Sequence, residues 1–117
     1  MTTRKRDTAK TTGLSEKQLD ALIEEATVDA YDEAEQLSGM FTLDEERLVL
    51  PFTTEILGVE VEVVGVELND GNEVVATCRR GPHRQRVSLL ELPVPKPLPD
   101  GWETILAYRR WARNWRG

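Results

Sequence analysis

The chain holds one cysteine, Cys78, and one histidine, His83, among its 117 residues. A lone cysteine excludes an internal disulfide, and no zinc-type Cys/His spacing is present. No apolar run approaches eighteen residues, so the sequence contains no membrane-spanning helix. The opening segment, MTTRKRDTAKTTG, is basic but lacks the apolar stretch of a secretory signal, and a cytoplasmic protein is expected. There is no glycine-rich phosphate loop and no nucleophile set beside a base, so an enzyme is not expected. His83 falls in a Gly-Pro turn between arginines, where a histidine is usually just solvated. Cys78 lies in an expected strand beside Arg79 and Arg80, whose charges could activate a thiol. A strand cysteine more often serves as a small core hydrophobe.

What the chain does have is acid, unevenly placed. The net charge of −6 divides into +3 over residues 1–14, −15 over residues 15–73 and +6 over residues 74–117. The overall sign disfavours general nucleic-acid binding, while the middle segment sets up a field that attracts cations. With 39% hydrophobic and 31% charged residues, the composition suits one globular domain. Residues 14–117 are expected to form it, after a basic tail at 1–13 that has nothing to pack.

Ser15 with Gln18 reads as a capping box, and Leu14 can staple onto Leu19. Leu19, Leu22, Ile23 and Ala26 then give one apolar helical face. Asp32 with Glu35 repeats the capping pattern, so a second helix is expected from about residue 32, although one bent helix fits too. Its apolar face would be Leu37, Met40, Phe41 and Leu48. Gly39 weakens it by roughly 1 kcal/mol relative to alanine, and Pro51 ends it. Beyond Pro51 the period turns to alternation in FTTEIL, VEVEVVGVEL, EVVATCR and QRVSLLEL. NDGN (69–72) and RRGPHR (79–84) mark turns. Four short antiparallel strands suggest an SH3-like barrel. The proline-rich LPVPKPLPDG is expected to be extended, and GWETILAYRRWARNW closes the chain as a helix with Trp102, Ile105, Leu106, Tyr108 and Trp111 available for packing. The predicted class is α+β.

The densest acidic stretch, VDAYDEAEQLSGMFTLDEERLVLPF, holds Asp29, Asp32, Glu33, Glu35, Asp44, Glu45 and Glu46. Asp29 stands three residues from Asp32 and four from Glu33, so a helix or helical bend points both pairs to one side. Calcium takes six to eight oxygen ligands in irregular geometry, which such a bend can supply. The end of the first helix adds its carbonyls and negative dipole end. A carboxylate that caps the second helix is partly used already, and no EF-hand loop is present. A solvated acidic face therefore remains the alternative. Glu67, Asn69, Asp70, Asn72 and Glu73 form a second oxygen-rich group, or simply a hairpin turn.

The acidic stretch, together with CRRGPHRQRVSLLEL and GWETILAYRRW, resembles a family of small acidic bacterial calcium-binding proteins first described as cyanobacterial calcium buffers. The resemblance spans about residues 19–115, with VDAYDEAEQ its most specific block. It departs at GMFTL, where aromatic residues are common, and in the basic tail. It implies calcium binding, with Asp29, Asp32, Glu33 and Glu35 matching its acidic block. The expected function is reversible calcium binding, as a buffer or sensor, with Asp29, Asp32 and Glu33 as primary ligands and Glu35 and the Asp70 turn as contributors. The other expectation is a protein or RNA interaction module, using a basic face of Arg79, Arg80, Arg84, Arg86, Arg109, Arg110 and Arg113. Those arginines could equally neutralise the acidic helices from within.

Overall fold

The computed structural model describes residues 15–116, with side chains for residues 15–114. The expected tail at 1–13 and the Leu14 staple lie outside these residues. Helix α1 (Glu16–Thr27) begins as its capping box dictates. Ser15 Oγ accepts from Gln18 N at 3.2 Å, and Gln18 Oε1 accepts from Ser15 N at 2.8 Å. The two helices are separate: α2 (Glu33–Arg47) starts afresh after a five-residue connection that ends in its cap, Asp32.

Gly39 is what allows the two helices to meet. A Cβ there would lie 2.1 Å from the Ala26 carbonyl oxygen at the end of α1. A residue that costs α2 helix propensity thus permits a backbone-to-backbone approach no other side chain would.

Strands β1 (Phe52–Ile56), β2 (Val59–Leu68), β3 (Val74–Arg80) and β4 (His83–Ser88) form an antiparallel meander in the order β1-β2-β3-β4. The sheet is not closed: β1 and β4 are its two edges, so the expected SH3-like barrel reduces to an open four-stranded sheet. The second turn is tighter than the sequence suggested. His83 pairs with Arg80 as the first residue of β4, while the LLEL that follows Ser88 leaves the strand.

In β2, Val63 sits opposite Cys78, and beyond a bulge Val66 faces Ala76 and Leu68 faces Val74. The extra residue, Val64, switches the inward positions from odd to even numbers. Val61 and Val63 before the bulge and Val66 after it therefore all reach the core.

Helix α3 (Trp102–Arg116) packs against α1 and α2. Trp102, Ile105, Tyr108 and Trp111 are buried in the same core as Leu37 and Met40 of α2 and Val63, Val74 and Cys78 of the sheet. Burying side chains of this size contributes about 1.5–3 kcal/mol each. The Tyr108 hydroxyl accepts from Val74 N at 3.2 Å, so the ring fills the core without stranding its polar end.

The proline-rich segment runs beside β1, where Thr54 Oγ1 donates to Pro93 O at 3.0 Å. Arg109 fixes it from α3. Its Nε donates to Leu89 O at 2.8 Å, a second guanidinium nitrogen donates to Leu92 O, and the group lies 5.5 Å above the Trp102 ring. Among the described residues no helix is long and apolar enough to cross a membrane.

Candidate cation-binding site

Where α1 ends, Ala30 N donates to Thr27 O at 3.0 Å, and the chain turns to enter α2. Asp32 caps the new helix, its Oδ1 accepting from Glu35 N at 2.9 Å. Glu35 reaches back, and its Oε1 accepts from Tyr31 N at 2.6 Å. This is a capping box displaced by one residue, since the returning bond ends on the residue before the cap. Tyr31 itself is 92% exposed.

A shallow groove of about 600 Å³ opens at this junction, lined by Glu25, Asp29, Asp32, Glu35, Ser38 and neighbouring small residues. Three of the expected ligands, Asp29, Asp32 and Glu35, thus share one concavity. Glu33 and Asp70 do not line it. Asp70 stands on the β2–β3 hairpin, where Asn69 Oδ1 accepts from both Gly71 N (2.9 Å) and Glu73 N (3.0 Å). That turn satisfies its own backbone.

Around the groove, one oxygen each of Asp32 and Glu35 already serves the helix start. Glu25 pairs with Arg47 of α2, which removes one negative charge from the rim. Among the described residues no three His, Cys, Asp or Glu side chains converge as a metal-holding group. The carboxylates surround a space without closing on a point. Comparison with family models, with curated proteins and with solved structures found no match.

Part of the expected basic face is engaged within the chain. Arg110 binds Asp20 at 2.7 Å and lies 3.7 Å from Glu16, tying α3 to α1. That contact holds the Asp20 carboxyl below the usual carboxylate range. Arg79 pairs with Glu62 and Arg86 with Glu67 across the sheet. Glu67 is likewise held low by Arg86 and by the Thr77 hydroxyl. Arg109 is turned inward onto carbonyls. Of the seven arginines expected to form that face, four are engaged within the chain, three of them with carboxylates of the acidic middle.

His83 is exposed at the start of β4, and Cys78 is buried with its thiol pushed up by desolvation, which makes it inert rather than nucleophilic.

Asp44 is the residue the sequence misplaced. Counted with the acidic surface, it is fully buried, and neither carboxylate oxygen has a hydrogen-bond partner among the described residues. A signal was available: Asp44 stands four residues after Met40 and four before Leu48, on the apolar stripe of α2 itself.

Proposed function

We propose that this protein binds calcium reversibly at the α1–α2 junction, as a buffer or sensor without catalysis. Asp29, Asp32 and Glu35 supply the carboxylates, while Glu33 does not line the groove. The observation that carries the reading is the shared groove: three carboxylates line one concavity at the end of a helix. The negative end of the α1 dipole favours a cation there, and calcium accepts irregular oxygen sets.

The residues fit such an ion in type but are not drawn together around one. Binding must therefore bring Asp29 towards the remaining oxygens of Asp32 and Glu35, and the 28–32 connection reorders with it. That cost makes the site weaker than a preformed cage. Asp70 is not part of this groove, and the proposed ligands come from the junction alone. A basic docking surface is the weaker reading, because most of its arginines are already engaged.

Calorimetric titration in physiological salt with millimolar magnesium tests the reading. Calcium should bind with a defined stoichiometry, and Asp29→Asn with Asp32→Asn should weaken it at least tenfold. Asparagine caps helices as well as aspartate, so α2 should survive the change. Glu45→Gln with Glu46→Gln removes the same charge from exposed positions beyond the groove. Equal weakening by both pairs would reduce the site to diffuse electrostatics.

A further inference from the structure

Asp44 is the charged residue type that the core encloses completely, at 0% exposure, with Oδ1 and Oδ2 both unpartnered. A carboxylate in that setting has lost its hydration and gained nothing, which a folded protein tolerates only if the group is neutral. The surroundings point the same way.

Helix α2 packs on α1, α3 and β2, and among the described residues of each the charged groups are otherwise engaged or at least partly exposed. On α1, Glu25 turns to Arg47, while Asp20 and Glu16 turn to Arg110. On α3, Arg109 is held by Leu89 and Leu92 carbonyls, the Tyr108 hydroxyl receives Val74 N–H, and Glu103 is partly exposed. On β2, Glu62 and Glu67 bind Arg79 and Arg86, and Glu60 is exposed. On α2 itself, Glu45, Glu46 and Arg47 are exposed.

The polar side chain that bears on Asp44 is Thr104, in the first turn of α3. Its hydroxyl proton is donated to Gly101 O at 2.8 Å. That bond takes up the hydroxyl's single proton, so Thr104 gives Asp44 no full hydrogen bond.

We propose that Asp44 is a proton-binding latch between α2 and the start of α3, closed by the neutral acid and loosened when the group ionises. The contact it guards is close. Val49 N donates to Asp100 O at 2.9 Å, and Gly101 lies directly against the Arg47 carbonyl. Burial raises the Asp44 carboxyl from 3.8 to about 8, with Thr104 as the smaller, opposing influence. Between those values the folded chain holds a proton that the unfolded chain has released. The stability tied to that proton is complete below about pH 4, falls as pH rises, and is gone above about pH 8. The latch thus operates in the physiological range.

The test uses the full chain. A side-chain carboxyl ¹³C titration should find Asp44 neutral at pH 6 and ionising near pH 8. Urea unfolding of the wild type and Asp44→Asn, from pH 5 to pH 9, should show the variant gaining on the wild type. The ratio of their folding constants should change by up to about tenfold per pH unit, then level off above pH 8. At pH 8 the Val49 amide should exchange at least tenfold faster in the wild type. Ionisation of Asp44 between pH 3 and 5, or parallel stability curves for the two proteins, would overturn the proposal. Should Asp44→Asn not fold, the titration of the unaltered protein decides alone.

Discussion

Gly101→Ala is expected to leave a large part of the protein unfolded at 25 °C. The residue has φ +89°, and an added Cβ would fall 2.0 Å from Arg47 O and 2.6 Å from Leu48 Cα. Those are backbone atoms at the end of α2, so no side chain can swing aside. Relief requires α3 to move away from α2, at the point where Val49 and Asp100 are bonded. Backbone strain of about 1–3 kcal/mol adds to the overlap. Together they should cost about 3–5 kcal/mol, at the upper end for single substitutions and comparable to the whole stability of many small domains. Urea unfolding followed by circular dichroism measures it. Gly65→Ala is the control, since its Cβ would meet nothing within 4 Å, and it should shift stability by less than about 1 kcal/mol.

Gly39→Ala pits two effects against each other. Alanine is the better helix former, by about 1 kcal/mol. The new methyl would lie 2.1 Å from Ala26 O, and α1 must shift to admit it, typically at a cost of about 1–3 kcal/mol. The overlap is with a carbonyl at the end of a helix, close to the upper figure, so the overlap wins. A net loss of about 2 kcal/mol is expected by urea unfolding, with a drop in calcium affinity because the groove lies on this crossing. A more stable Gly39→Ala protein would show that the helices are not held together as described.

The helices were legible because their ends announce themselves. Ser15 with Gln18 and Asp32 with Glu35 are local bonds between residues three apart, and local bonds can be read from spacing. The alternation of β2 was likewise legible from spacing, as far as the bulge at Val64.

What escaped depends on contacts far apart in the chain. Gly39 against Ala26 and Gly101 against Arg47 are close approaches that no propensity encodes. Arg109 looked like a surface charge, yet it reaches Leu89 and Leu92 some twenty residues back in the chain. Barrel closure could not be read either, since pairing between first and last strands is set by sheet curvature rather than by the sequence of either strand. Asp44 was missed for another reason. Residue type was weighed above position, and the apolar stripe through Met40 and Leu48 passed unnoticed across an acid.

The arginine–carboxylate pairs explain how a chain with so uneven a charge distribution folds. Arg110 to Asp20, Arg79 to Glu62 and Arg86 to Glu67 each join the basic last third to the acidic middle. All lie where solvent screens the charges, so each pair adds little to stability. Their effect is to organise the charge rather than to hold the fold. At the α1–α2 groove, Asp29, Asp32 and Glu35 are among the described carboxylates that no arginine answers.

That groove is where the central claim is decided. An amide chemical-shift titration of the ¹⁵N-labelled full chain with calcium, in millimolar magnesium and physiological salt, follows each residue at once. The account predicts saturable shifts concentrated in residues 25–38, with Asp29, Asp32 and Glu35 among the largest and the Asp70 hairpin nearly still. Shifts that grow without saturating, or that spread evenly over Glu45, Glu46 and Asp70 as well, would contradict it.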